Sequence, residues 1–220
     1  MRFSAPELHE RPDTRERILD TAERLFARHG FDLATLRALT NEAGVNLAAV
    51  HYHFGSKERL FEAVLTRLVE PVNAERLARL DAAEAAAAPS LEAVVEAFVA
   101  PPLHAVQDAR RADVARVLMG RCMSSPDEQM RSLLTRLFGP VLDRFIPAFG
   151  RALPHLSRDE VLWRFFFMIG VMVQTMSCGH HLCFVSQGAC DPARTEDTIP
   201  RIVQFVVAGM RAPAPFETSR

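Results

Sequence analysis

Lysine, tyrosine and tryptophan are almost missing from this chain, which holds one residue of each in 220. Glycine is also scarce, at 10 residues, and the sequence lacks the turn dipeptides and alternating apolar patterns that mark β-hairpins. A sheet-rich fold is therefore excluded. Because 49% of the residues are hydrophobic and 24% are charged, a disordered or low-complexity chain is excluded as well.

The sequence also has no long uninterrupted apolar run. The longest, residues 165–173, is about half of the ~20 residues that a bilayer requires. Residues 1–12 carry charges and lack the apolar segment of a secretory signal, so we expect a cytoplasmic protein without membrane contact. The 4 cysteines are too unevenly spread for the disulfide framework of a small secreted domain, which predicts free thiols.

An excess of basic charge is missing too. The formal net charge is -1 and the isoelectric point is near 6.7, which argues against a protein that coats nucleic acid without specificity. Any contact with DNA must therefore be local. The only lysine, Lys57, and the only tyrosine, Tyr52, lie in one short segment.

The spacing of apolar residues predicts four helices in the N-terminal part of the chain. The first is expected over residues 13–29, with Asp13 and Glu16 as a capping box and Gly30 at its end. Capping residues bound the next three. Thr35 begins a helix that Gly44 ends, Asn46 begins one that runs to Phe54, and Ser56 begins the fourth.

The rest of the chain is predicted to be helical, with interruptions at its prolines. Pro71 is expected to interrupt the fourth helix, and later prolines are expected to kink the helices that contain them. Further helices are predicted over 90–107, 108–123, 126–152, 157–181 and 199–211, which gives an all-α fold of about nine helices.

Residues 35–57 (TLRALTNEAGVNLAAVHYHFGSK) have the form of a helix-turn-helix: a short helix, a glycine turn and a second helix with small residues on one side. Ala48 and Ala49 are small enough to let that helix approach base edges in the major groove of DNA. Val45, Val50 and Phe54 are predicted to anchor its other side to a small core. The pattern therefore favours a DNA-binding unit.

The segment GVNLAAVHYHFGSKERLF resembles the recognition-helix signature of the TetR family of transcriptional regulators, and the resemblance extends over Asp13 to Leu65. One departure is His51, where members of the family often carry tyrosine or asparagine. The resemblance implies a flexible arm over 1–12, a helix-turn-helix DNA-binding domain over 13–56, a larger helical ligand-binding and dimerisation domain over 57–211 and a tail over 212–220.

The resemblance also implies roles for individual residues. Phosphate oxygens are expected to bind Thr35, Tyr52 and Lys57, whereas base edges are expected to face Asn46, Leu47, Ala49 and His51. A second interpretation treats Tyr52, His53 and Phe54 as an aromatic cap on the helical core. We expect Phe54 to be buried in either case, and for His53 both interpretations stay open.

The C-terminal part carries none of the motifs G-x-S-x-G, H-E-x-x-H or a glycine-rich phosphate loop, so we predict no enzyme activity and no cofactor. Its apolar helices, rich in methionine and phenylalanine, are typical of a core and also of a wall for an apolar ligand. In the TetR family this domain holds the inducer, and VLWRFFFMIGVMVQT resembles the subgroup that responds to fatty acids or acyl-CoA. The predicted pocket comprises Phe98, Met119, Cys122, Met123, Phe165, Met168, Met172, Gln174 and Thr175.

A homodimer is expected because one short recognition helix gives little affinity, whereas a two-fold pair reads two half-sites. In the TetR family the last two helices pair with those of the partner. The predicted dimer interface comprises Trp163, Phe167, Val171, Cys178, Ile202, Phe205, Val206 and Met210. The sequence leaves the division of these apolar faces between core and interface open.

The segment Cys178-Gly-His180-His181-Leu-Cys183 contains ligand types that suit zinc or Cu(I). On a continuous helix Cys178 pairs with His181 and His180 with Cys183, but the two pairs diverge, so no metal site is predicted. A helix end at Gly179 is expected instead.

The sequence thus predicts a homodimeric repressor that an apolar small molecule, such as a fatty acid or acyl-CoA, releases from a palindromic DNA operator. Two alternatives stay open. One is a helical small-molecule carrier that does not bind DNA, and the other is a regulator that senses metal or thiol oxidation.

Overall fold

The computed structural model describes residues 13–86, 89–105, 118 and 128–214. This part of the chain is all-α, as predicted, and contains no strand. The predicted helix over 108–123 lies outside the described residues, apart from Leu118. The eight described helices are α1 (Thr14–Leu33), α2 (Leu36–Ala43), α3 (Leu47–Phe54), α4 (Lys57–Ala86), α5 (Leu91–Ala105), α6 (Glu128–Ala152), α7 (Arg158–Val185) and α8 (Thr195–Arg211).

The chain divides into two compact units, one that ends at Thr66 and one that begins at Arg67. The boundary therefore lies inside α4, later than the predicted one after Ser56. The reason is that the first turns of α4 pack with α1. The Phe61 ring lies 5.2 Å from that of Phe26 and 5.1 Å from that of Phe31.

Side chains at the predicted positions cap the helices of the first unit. Asn46 Oδ1 accepts the amide of Ala49 at 2.8 Å, and Thr35 Oγ1 accepts that of Ala38 at 3.1 Å. Asp13 and Ser56 cap α1 and α4 in the same way. Gly44 ends α2 with a left-handed φ of 62°. Gly30, with a φ of 81°, breaks α1 as expected, but residues 31–33 are helical again.

The predicted interruption of the fourth helix at Pro71 is wrong, whereas the kinks expected at the later prolines stay predictions. α4 continues through Pro71, and α5 contains both Pro101 and Pro102. α6 and α8 likewise contain prolines. A proline inside a helix removes one backbone hydrogen bond. Here the burial of long apolar faces, including both α5 prolines, offsets that local cost.

The expected helix end at Gly179 is also wrong. α7 runs on to Val185 and ends where Gly188 adopts a φ of 83° and donates its N–H to the Cys183 carbonyl at 2.8 Å. Gly179 serves close packing instead, because a Cβ atom there would lie 3.0 Å from Pro192 Cβ.

The core of the second unit is aromatic at its centre. The Phe98 ring lies 5.1 Å from that of Phe145 and 5.0 Å from that of Phe165. Residues of α5, α6, α7 and α8 surround these rings. Apolar burial on this scale is the main stabilising term for such a helical unit.

α7 leaves an apolar stripe exposed. Trp163, Phe166 and Phe167 are each more than half exposed, and Phe205 of α8 is 68% exposed. Gly170 lies on the same stripe, one turn further on, and nothing would contact a Cβ atom there. By length and composition alone α7 is apolar enough to cross a membrane, and only 28% of its apolar stretch is buried. One such helix is weak evidence for a membrane span.

Candidate DNA-binding site

The short helix α3 has one face in the core and one face in solvent. Val50 is 1% exposed and Phe54 is 7% exposed, as predicted for its anchoring side. On the other side Tyr52 is 86% exposed and Leu47 is 48% exposed. Asn46 and His51 are exposed as well, and Ala49 is half-buried. A helix held in this way presents a fixed set of side chains to a partner.

Capping leaves Thr35 and Asn46 with free donors. Each uses its side-chain oxygen to accept a backbone N–H. The Thr35 hydroxyl hydrogen and the two Asn46 amide hydrogens are then available for acceptors such as phosphate or base edges. The caps also fix the position of both side chains, because Thr35 is the N-cap residue of α2 and Asn46 is the N-cap residue of α3.

His51 is tied to its own backbone. Its Nδ1 lies 2.8 Å from the Gly55 carbonyl oxygen, and since a carbonyl only accepts, Nδ1 carries the hydrogen. In the neutral imidazole Nε2 is then an acceptor. The side chain is therefore oriented before any partner binds, with one acceptor left.

Lys57 is held at the start of α4 by two contacts. Its Nζ donates to the Asp32 carbonyl at 3.3 Å and lies 4.5 Å from the centre of the Phe31 ring. An ammonium has three N–H donors, so two are left for another acceptor. The sequence predicted this residue but not the contacts that position it.

Arg17 stabilises the turn of the helix-turn-helix. Its Nη2 donates to the Ala43 carbonyl at 2.6 Å and to the Gly44 carbonyl at 3.1 Å. A cation at the C-terminus of α2 also interacts favourably with the helix dipole. Sequence reasoning missed this role, since the contact joins residues 26 positions apart.

Two acidic groups lie close to this surface. The hydrogen bond from the Ser56 side chain, together with a backbone hydrogen bond, lowers the pKa of Glu58. The Glu42 carboxylate pairs with Arg24 at 3.2 Å. Pairing offsets the charge of Glu42, whereas Glu58 is an ionised neighbour of Lys57 at neutral pH.

The predicted pocket residues take different places in the second unit. Phe98, Phe165, Met168 and Met172 lie in the core. Gln174 is exposed, and half-buried Thr175 donates its hydroxyl to the carbonyl four residues before it. Met119, Cys122 and Met123 lie outside the described residues.

The predicted interface residues divide between core and surface. Trp163, Phe167 and Phe205 are exposed, and Val171 and Cys178 are half-buried. Ile202, Val206 and Met210 pack in the core of their own chain. Because α8 is amphipathic, these three residues lie on its buried face and Phe205 lies on its exposed face.

No metal centre is formed by the described residues, which contain no group of three suitable side chains. Cys178, Cys183 and Cys190 are free thiols.

Two domain families match the chain. Residues 18–64 match the family described as bacterial regulatory proteins, tetR family, and residues 96–209 match the tetracyclin repressor-like, C-terminal domain. The second match alone covers more than half of the sequence. The chain belongs to the TetR family. This membership confirms the resemblance seen in the recognition segment and accounts for the two-unit, all-α organisation.

Individual TetR relatives are similar over parts of the chain. The HTH-type transcriptional repressor AcnR of Corynebacterium efficiens is 39% identical over 84 residues, which is 38% of each chain. The chain thus spans about two fifths of the length of the first curated relatives that it matches. FadR from Bacillus subtilis in complex with stearoyl-CoA has a TM-score of 0.66 at 11% identity, covering 88% of this chain and 98% of FadR. The SmeT–triclosan complex has a TM-score of 0.59 at 20% identity, covering 93% and 99%.

Proposed function

We propose that this TetR-family chain is a homodimeric transcriptional repressor of the cytoplasm, not an enzyme, that an apolar small molecule releases from a palindromic DNA operator. The observation that carries the proposal is the exposed face of α3, with Tyr52 86% exposed on a helix whose opposite face is buried. AcnR, which is similar over 84 residues, is named a transcriptional repressor.

The proposed DNA contacts follow from the free donors. The Thr35 hydroxyl, the Tyr52 hydroxyl and the Lys57 ammonium supply hydrogen-bond donors for phosphate oxygens. Asn46, which caps α3, and Leu47, Ala49 and His51 of α3 face base edges. Leu47 and Ala49 meet thymine methyl groups there. Nε2 of His51, as an acceptor, favours the exocyclic amine of cytosine or adenine.

Replacement of Lys57 by alanine tests the phosphate contact. Each neutralised phosphate adds about 0.9 to the slope of log affinity against log salt concentration. We expect K57A to lower the magnitude of that slope by about one for each DNA-reading unit, so by about two for a dimer. Fluorescence anisotropy on a duplex selected from a random pool measures the slope.

The control is R131A, because Arg131 is an exposed arginine on α6 whose loss changes the net charge equally. R131A should leave the slope unchanged. An unchanged slope for K57A contradicts the assigned contact. Failure of the wild-type protein to bind any duplex at low salt favours the carrier function instead.

We further propose that the exposed stripe of Trp163, Phe166, Phe167 and Phe205 is the dimer interface. Contiguous exposed aromatic side chains mark interaction surfaces. The stripe also explains why α7 is both apolar and poorly buried in a single chain, so a membrane need not cover it. Ile202, Val206 and Met210 pack in the core on the opposite face of α8 and so hold Phe205 in the exposed stripe.

The inducer is proposed to bind in the second unit. FadR and SmeT, which share the fold, are named in complex with stearoyl-CoA and triclosan. Both compounds have a large apolar part, in keeping with the phenylalanine and methionine side chains of this core. Ligand and operator should then weaken each other's binding by the same factor.

A further inference from the structure

Arg76 of α4 carries a positive charge into the apolar core of the second unit. Its side chain is 3% exposed, and its guanidinium carbon lies 4.1 Å from the centre of the Phe98 ring. Nε donates to the Phe98 carbonyl at 2.9 Å, and Nη1 donates to Asn73 Oδ1 at 3.1 Å. Nη2 meets the Met172 sulfur at 3.6 Å, and a thioether is a weak acceptor.

Other arginines of this unit have carboxylate partners. Arg79 pairs with Glu75, and Arg144 pairs with two acids. Arg164, which is buried like Arg76, has Glu160 at 2.8 Å. For Arg76 no carboxylate within the described ranges lies at ion-pair distance. Among the described residues its charge is therefore stabilised by a carbonyl oxygen, an amide oxygen and an aromatic ring, and by no carboxylate.

Arg76 is nevertheless charged at neutral pH. Burial lowers its pKa to about 10, which still leaves it protonated. A buried charge without a counter-ion destabilises the fold. A guanidinium has five N–H donors, and the three contacts leave two of them for another acceptor. The planar fork matches the two oxygens of a carboxylate.

We propose that Arg76 binds the carboxylate of an apolar organic acid, whose hydrocarbon part packs against Phe98, Phe165 and Met172 in the same core. The inference rests on the proposed ligand-responsive function and narrows its ligand to free carboxylic acids. A thioester or an alcohol of the same carbon skeleton has no carboxylate, so Arg76 discriminates against both. A neutral apolar compound leaves its charge unpaired.

The experiment uses two pairs of probes that differ only in the acid group. These are decanoate with 1-decanol, and 4-phenylbutanoate with 4-phenyl-1-butanol. Isothermal titration calorimetry measures their affinity for the full-length protein and for R76M, which removes the charge but keeps an unbranched side chain. R79M is the matched control, because Arg79 lies one turn further along α4 in a partly exposed ion pair.

We expect at least one acid to bind the wild-type protein about tenfold or more tighter than its alcohol. R76M should reduce that ratio to near one, and R79M should retain it. Equal affinity of acid and alcohol for the wild-type protein, or absence of binding by both acids, overturns the proposal. So does a ratio that survives in R76M.

A stability measurement separates ligand binding from a structural role. Without ligand, R76M should unfold at a lower urea concentration than the wild-type protein. The reason is that Asn73 Oδ1 loses a donor, and so does the Phe98 carbonyl, whose helical donor position is Pro102. The shift caused by ligand then decides between the roles. The acid should raise the unfolding midpoint of the wild-type protein and of R79M but not that of R76M, and an equal rise in all three would mean that Arg76 has only a structural role.

DNA release is measured separately, so that the two proposals fail in different ways. If an acid binds through Arg76 without weakening the selected duplex complex, the ligand site stands and the repressor response fails. If a neutral compound releases DNA equally from wild-type protein and R76M, the response stands and the role of Arg76 fails.

Discussion

Replacement of Phe167 by glutamate is expected to convert the proposed dimer to a monomer. Phe167 is 59% exposed in the single chain, and its ring lies 5.8 Å from that of Trp163 and 6.3 Å from that of Phe166. A charge there would be desolvated without a partner on association. Loss of a central aromatic residue costs about 2 kcal/mol or more, which is about 30-fold in the dimer dissociation constant. Sedimentation velocity across a concentration series measures it.

The control is L142E, since Leu142 is an exposed apolar residue of a different helix, α6. It should remain a dimer. F167E should also retain the helical content of the wild-type protein, because the side chain already points into solvent. A wild-type protein that is monomeric at micromolar concentration, or an F167E dimer of wild-type affinity, would contradict the proposed interface.

Replacement of Arg164 by alanine is expected to cause the largest loss of stability. This buried guanidinium pairs with Glu160 at 2.8 Å. It also donates to the carbonyls of Met210, Ala212 and Pro213, so it caps the C-terminus of α8. Truncation leaves a partly buried carboxylate and several carbonyls without partners. We expect the free energy of unfolding to fall by about 3–5 kcal/mol.

Urea denaturation at a fixed protomer concentration measures this change, because the proposed dimerisation would make stability depend on concentration. The control is R79A, which breaks a half-exposed ion pair within α4 and should cost less than about 1 kcal/mol. If R164A were no less stable than R79A, the cap on α8 would be energetically unimportant.

Local signals in the sequence were sufficient for the helix-turn-helix. Thr35 and Asn46 cap their helices through hydrogen bonds to residues three positions away, and Gly44 needs only its own backbone freedom. Such interactions depend on short spacing, so a pattern in the sequence predicts them. The exposed Tyr52 and the buried Phe54 follow from the same helical register.

Features that depend on distant contacts could not be predicted. Arg17 binds carbonyls 26 and 27 positions away, and Gly179 is required by the approach of Pro192. Pro71 does not end α4, because the local cost of a proline is visible in the sequence whereas the packing that offsets it is not. Arg76 and Arg164 look alike in sequence. Only the structure shows that Arg164 pairs with Glu160, whereas Arg76 has no carboxylate partner in the part of the chain that the structure describes.

The single lysine has a practical consequence. Lys57 sits on the proposed DNA surface, with its ammonium against the Asp32 carbonyl and the Phe31 ring. Amine-reactive reagents therefore find one side-chain target in the entire chain, beside the α-amino group. Acylation there would erase a positive charge where phosphate is proposed to bind, so covalent labelling and its protection by a duplex would report occupancy of that surface without any engineered tag.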